Sequence, residues 1–191
     1  MNFSAVILAG GNSSRMGRDK AWLKVGGQRL LERQVERVCE MGAVEVFISG
    51  RTGTDYSEFG GQVLVDHFAR VGPLAGIERA LAVTKSPLLL VLAVDLAEMS
   101  AEFLRKLAAG CSMDVGVVPR VNGNLEPLAA FYPKSTHALA EAQIGGDKFA
   151  VKDFAKRCVQ CGFSRFIEVS VSDAHCFANW NSPADMMRAT S

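Results

Sequence analysis

Residues 8–20 read LAGGNSSRMGRDK: three glycines, three small polar residues and three cations directly after an apolar run. Glycine lets backbone amides approach a ligand closely, and consecutive amides form a nest that takes up an anion. Arg15 and Lys20 add the charge that a triphosphate demands. The spacing is neither the dinucleotide fingerprint GxGxxG nor the P-loop GxxxxGK[ST], because Lys20 is followed by Ala21 and the glycines fall at other intervals. Dehydrogenases and P-loop NTPases are thereby disfavoured. A polar connection with no ligand is the plainer alternative for such a stretch. Its length, its cations and its place after a strand favour phosphate binding.

Asp66 and Asp95 each close an apolar run, VLVD and VLAVD. If both runs are strands, both carboxylates stand at the carboxyl edge of a sheet, where open α/β folds bind ligands. Either one alone would suit a helix cap or a loop salt bridge. Two of them beside a phosphate loop point to function. Magnesium takes one or two carboxylates together with substrate phosphates and water, so Asp95 needs no cluster of acids around it.

The elements that must position these groups follow from the hydrophobic pattern. Residues 4–8, 45–49, 63–65, 88–94 and 115–118 read as strands, several apolar on both faces as helix-covered strands are. Between them, Leu30, Leu31, Val35 and Val38 recur at helical spacing and stop near Gly42. Leu74, Ile77, Ala80 and Leu81 do the same behind Pro73, and Phe103, Leu104 and Leu107 behind Ser100 as N-cap. This alternation is the mark of βαβ units around a parallel sheet. Beyond residue 120 the pattern predicts a strand at 127–132, helices at 135–143 and 149–157, and a strand at 166–171. A short last helix would start at Ser182 and Pro183.

The motif LAGGxSxRMGxDK resembles the signature of nucleotidyltransferases, and most closely that of the molybdenum cofactor guanylyltransferases. The resemblance continues through VLVD (63–66), GPLAGI (72–77), Asp95, EPLAAFY (126–132) and FANWNSPAD (177–185), and so spans nearly the whole chain. It implies a Rossmann-like three-layer αβα fold with a mainly parallel central sheet of the nucleotide-diphospho-sugar transferase type. It also implies a single domain over residues 1–191, with a nucleotide-binding half to about residue 110 and an acceptor-binding half from about 111.

By the same resemblance, Leu8, Ala9, Gly10, Gly11, Lys20, Asp66 and Asp95 bind the nucleotide, and Asp95 holds Mg2+. Arg15, Lys20 and Asp95 are the catalytic set. The implied reaction joins GMP from GTP to the terminal phosphate of the molybdenum-pterin cofactor and releases pyrophosphate. Asn179 and Asn181 would either contact the pterin or cap backbone ahead of the last helix. GPLAGI would present amides at a helix start or merely begin a helix. LAGG with GPLAG is similar to the guanylyl branch, whereas cytidylyl members tend toward LAAG, so GTP is expected over CTP. A sugar-phosphate or cytidylyl transferase and a nucleotide-binding module without turnover are the competing readings. Two departures stand out. Members commonly carry proline two residues after the metal aspartate, where this chain has Leu96 and Ala97, which predicts a less rigid loop. Ser49 and Gly50 stand where members often carry asparagine.

Composition sets the bounds. With 191 residues, 49% of them apolar, the chain has material for one large core. A net charge of +1 gives no field for nucleic acid or an anionic membrane, so neither is expected as a partner. The apolar run at 87–94 is far shorter than the ~20 residues of a membrane span, and the first residues lack the pattern of a signal peptide. Five cysteines form an odd, sparse set, which suits a reducing cytoplasm rather than a disulfide framework. Cys158 and Cys161 make a CxxC, but no second pair exists for zinc, and the motif follows a helical pattern rather than opening one. Packed thiols are expected there. His67, His137 and His175 are left outside the site. Contacts with cofactor-synthesis or acceptor proteins are the protein partnerships that the resemblance suggests.

Overall fold

The computed structural model describes residues 1–10, 19–65, 68 and 71–178. Strand β1 (Phe3–Leu8) is buried along its whole length, with Phe3, Ala5 and Ile7 in one apolar core and Val6 and Leu8 in another. Successive side chains on a strand point to opposite faces, so two cores imply a sheet covered on both sides. After β1 come the short strands β2 (Lys24–Val25) and β3 (Gln28–Arg29), helix α1 (Leu30–Glu40), β4 (Val46–Ser49), β5 (Gln62–Leu64) and α2 (Pro73–Val83). Next are β6 (Leu88–Ala93), α3 (Ala101–Ala109), β7 (Gly116–Val121), β8 (Asn124–Leu125) and β9 (Ala129–Pro133). The described part closes with α4 (His137–Gly145), α5 (Val151–Gln160), β10 (Ser164–Glu168) and a 3-10 stretch, Val171–Phe177.

The main sheet runs in the order β10-β7-β9-β6-β1-β4-β5, with β8 paired to β7. β5, β4, β1 and β6 are mutually parallel, β9 is antiparallel to both β6 and β7, and β10 is parallel to β7. Helices α1 and α3 pack on the face that buries Phe3, Ala5 and Ile7, and α2, α4 and α5 on the opposite face. The three-layer arrangement expected from the resemblance is therefore present.

From β1 the chain steps outward to β4 and β5, then returns to β6 on the other flank of β1. The carboxyl ends of β1 and β6 thus border the point where strand order reverses, which in open α/β sheets forms a binding crevice. The register sets Leu8 beside Ser49 on one side and Ala93 on the other.

Several boundaries differ from expectation. Helices α4 and α5 start two residues late, α4 because Lys134–Thr136 forms a 3-10 turn first. The late strand is Ser164–Glu168 rather than 166–171, because the Ser170 side chain accepts from the Asp173 N–H and starts the 3-10 stretch at Val171. The β2–β3 pair turns on Gly26 and Gly27, and β7–β8 turns on Asn122 and Gly123, all four with positive φ. Two-residue turns of this kind match the twist of a hairpin. The final helix expected from Ser182 lies outside the described residues.

Candidate functional site

At the end of β1, Leu8 and Ala9 are buried and Gly10 is exposed. The Ala9 and Gly10 N–H groups both donate to the Ser49 carbonyl, at 2.8 and 3.0 Å, and the Leu8 carbonyl accepts from the Val94 N–H at 3.2 Å. The first two amides of the glycine loop are therefore tied to β4, and any anion nest has to be built from later amides. Gly11 and Arg15 lie outside the described residues, as do Asp66, Asn179 and Asn181.

Where the loop re-enters the described chain, Asp19 caps the turn Lys20–Trp22 by accepting from the Ala21 N–H at 3.0 Å. The other Asp19 oxygen accepts from the Tyr56 hydroxyl, whose oxygen accepts in turn from the Arg51 N–H at 3.1 Å. Burial, reinforced by the bond to Asp19, raises the Tyr56 phenol above its ordinary range, so it keeps its proton and donates. The ring leaves no room at position 50: a Cβ there would lie 2.1 Å from Cε2 of Tyr56. Gly50, one of the departures from the family pattern, is thus required by the aromatic side chain that anchors the end of the glycine loop. Trp22 meets Phe59 edge to face at 5.0 Å and lies under the Arg29 guanidinium, which anchors the turn beside the loop.

Lys20 and Asp95, 75 residues apart, meet directly: Lys20 Nζ is 2.9 Å from Asp95 Oδ2. Their side chains are 18% and 23% exposed, so the pair is half-sheltered yet reachable by a ligand. One partner enters from the β1 side of the crevice and the other from the end of β6.

The segment carrying Asp95 is tied from beneath. Gln34 of α1, fully buried, donates through Nε2 to the Leu96 carbonyl at 2.9 Å and more weakly to those of Ala93 and Val94 at 3.4 and 3.5 Å. Arg37, one turn on, donates to Gln34 Oε1 at 2.7 Å and to the Ala97 carbonyl at 3.1 Å. Burial lowers the Arg37 pKa to about 10, which leaves it charged at neutral pH and both donors in place. Leu96, Ala97 and Met99 sink into the core, and Ser100 Oγ caps α3 by accepting from the Phe103 N–H at 3.0 Å. The loop lacks the proline that the resemblance leads one to expect, but five side-chain and capping bonds hold it instead. Neither Gln34 nor Arg37 was named from the sequence. A signal existed: position 34 falls on the buried stripe of Leu30, Leu31, Val35 and Val38, where an amide needs a reason.

The GPLAGI segment divides. Pro73 opens α2 as its first residue behind Gly72, which has φ +77°. Gly76 is a packing glycine: a Cβ there would meet Ser49 Oγ at 2.2 Å and Leu8 Cδ2 at 3.0 Å, so its absence lets α2 sit on the ends of β1 and β4. In EPLAAFY, Tyr132 is buried and its hydroxyl donates to the Pro127 carbonyl, while burial raises the Glu126 carboxyl above the usual range. His137 pairs with Glu78 at 2.7 Å between α4 and α2, and His175 bonds the Ser172 carbonyl. Among the described residues, no group of three or more His, Cys, Asp or Glu is gathered in a way that would hold a metal by itself. Nor is any helix there long and apolar enough to cross a membrane.

Cys158 lies buried in α5 with its thiol pushed up to about 12 by burial, and Cys161 caps the helix exposed to solvent. Cys111 is likewise pushed up to about 12. Because the thiolate is the reactive form, a native titration with a thiol reagent at pH 8 should label the exposed Cys39 and Cys161 quickly, the half-buried Cys111 slowly and the buried Cys158 only on unfolding. Rapid labelling of Cys158 would contradict the packed-thiol assignment.

Residues 5–160 match the model of the MobA-like NTP transferase domain. A probable molybdenum cofactor guanylyltransferase of Opitutus terrae is 35% identical, covering 97% of this chain and 93% of its own. One of Carboxydothermus hydrogenoformans is 33% identical, covering 96% and 93%. Among solved structures, the molybdopterin-guanine dinucleotide biosynthesis protein A of Archaeoglobus fulgidus superposes with a TM-score of 0.77 at 24% identity, covering 97% and 96%. The 2-C-methyl-D-erythritol 4-phosphate cytidylyltransferase of Thermus thermophilus superposes with 0.75 at 18%, covering 99% and 97%. These two likenesses establish the fold.

Proposed function

We infer the reaction from a fixed premise: this chain belongs to the MobA-like NTP transferase family. It is a nucleotidyltransferase, and the reading best supported is transfer of GMP from GTP to the terminal phosphate of the molybdenum-pterin cofactor. A phosphate oxygen of the acceptor attacks the α-phosphorus, the bond from that phosphorus to the bridging oxygen breaks, and pyrophosphate leaves. The nucleophile is already ionised at neutral pH, so the step needs alignment and charge neutralisation more than a general base.

The observation that carries the reading is the meeting of Lys20 and Asp95 at the strand-order reversal. Lys20 takes the β- and γ-phosphates together with Arg15 and stabilises the departing pyrophosphate. Leu8, Ala9, Gly10, Gly11 and Asp66 border the nucleotide, with Leu8 and Ala9 buried at the strand end beneath it. Asn179 and Asn181 face the acceptor. The Asp95 carboxylate at a half-sheltered strand end fits magnesium, which draws its remaining ligands from phosphates and water. When bound at Asp95, magnesium would supply charge neutralisation on the phosphate side of the reaction. The chain works in a reducing cytoplasm, where its five cysteines stay thiols.

The test is thermal stability with GTP, CTP, ATP or UTP, each with and without magnesium. A ligand bound only by the folded state at a hundred times its Kd stabilises by about 2.7 kcal/mol. GTP with magnesium should raise Tm, and Asp95→Asn should lose the magnesium-dependent part. A preference for CTP would move the chain to the cytidylyl branch, and the absence of a shift with any of the four nucleotides would refute the reading.

A further inference from the structure

We propose that Gln34 and Arg37 are positioning residues for the Asp95 carboxylate, holding residues 94–97 so that the carboxylate is presented at the crevice. This rests on the magnesium reading of Asp95 given above. The geometry is direct. Asp95 is followed by a segment with no proline, yet the carbonyls before and after it, those of Val94 and Leu96, are both bonded by the one Gln34 amide. Arg37 fixes that amide from its oxygen side and takes the next carbonyl, Ala97, with its second nitrogen. The amide head is oriented rather than free, because its oxygen is committed to a cation and its nitrogen to carbonyls. An apolar residue of similar size would satisfy the core equally well and would keep none of these bonds. The polar choice in a fully buried slot is therefore accounted for by the loop above it.

A positioning role predicts an effect on the metal response that simple destabilisation does not produce. Supporting groups of this sort, when removed, change metal affinity by about 10–100-fold. Gln34→Leu should raise the magnesium concentration for half-maximal turnover by about that factor. It should raise by a similar factor the manganese concentration that half-saturates the GTP-loaded protein, read by electron paramagnetic resonance without turnover. Val38→Ala, at another fully buried site on the same helix, lowers stability through a cavity and should leave both values at the parent's level. Arg37→Lys, which loses the two-nitrogen geometry, should shift them in the same direction by less, and serves if Gln34→Leu does not fold. A parent-like metal response in Gln34→Leu or, failing that, in Arg37→Lys, or an equal shift in Val38→Ala, overturns the proposal while the function stands. A parent-like metal response in Asp95→Asn overturns both.

Discussion

Replacing Lys20 by alanine is expected to lower kcat/KM by about 10²–10³-fold, the usual effect of deleting one preorganised group that meets developing charge. Its stability should change by no more than about 1 kcal/mol, because the Lys20–Asp95 ion pair is part-exposed and its loss leaves a carboxylate that water can reach. The two readouts together are diagnostic. Turnover at saturating GTP and magnesium, measured beside Tm, should show a large loss in the first and little in the second. Lys20→Arg should recover part of the rate, since it restores the charge but not the compact ammonium. An unchanged rate in Lys20→Ala would remove Lys20 from the catalytic set, and a collapse of Tm would make its role structural.

Gly116→Ala is expected to be the most damaging of the small substitutions for stability. An added Cβ would lie 2.0 Å from the Phe131 carbonyl oxygen and 2.8 Å from its carbon, and the obstacle is backbone in the neighbouring strand β9. Alanine in a strand ordinarily gains about 0.5–1 kcal/mol over glycine, whereas overpacking costs about 1–3 kcal/mol and occasionally more. Here no side chain can rotate away, so a net loss near 3 kcal/mol is expected, or a fall in Tm of about 6–12 °C for a chain of this length. Gly145→Ala is the control: a Cβ there meets nothing within 4 Å, and the helix should be neutral to slightly stabilised. A Gly116→Ala melt within a degree of the parent would show that β7 and β9 separate more readily than their packing implies.

The inner parallel strands β1 and β6 were legible because both faces of each are apolar, a pattern that solvent-facing strands do not show. Leu88–Ala93 is the clearest case. Helix starts were legible where a capping side chain or a first-position proline marks them, as at Ser100 and Pro73. The two hairpins were not read, although Gly26-Gly27 and Asn122-Gly123 are strong turn signals, because strands of two residues carry no alternation to flank them. Lys20 and Asp95 were each legible from their types and places, and their direct meeting follows once β1 and β6 are neighbours. Gln34, Arg37 and Tyr56 were missed for a different reason. Their chemistry is spent on backbone groups and carboxylates far away in sequence, and an amphipathic helix or a tyrosine in a loop does not announce such partners. Gly50 and Gly76 likewise make sense only after the Tyr56 ring and the Ser49 hydroxyl are in place.

Strand β9, antiparallel to both β6 and β7, has a consequence for synthesis on the ribosome. β6, with the sequence LLLVLA, pairs on one side with β1, which has already been made, and on the other with β9, which is complete only at Pro133. About forty residues separate the two, and at roughly 5–20 residues per second the newborn chain carries an unpaired, wholly apolar strand edge for some seconds. Such an edge is a template for intermolecular pairing. The vulnerable species in production of this protein is therefore a nascent chain stalled or truncated between residues 93 and 129, and its yield should respond to translation speed and to chaperone supply more than to the stability of the finished fold.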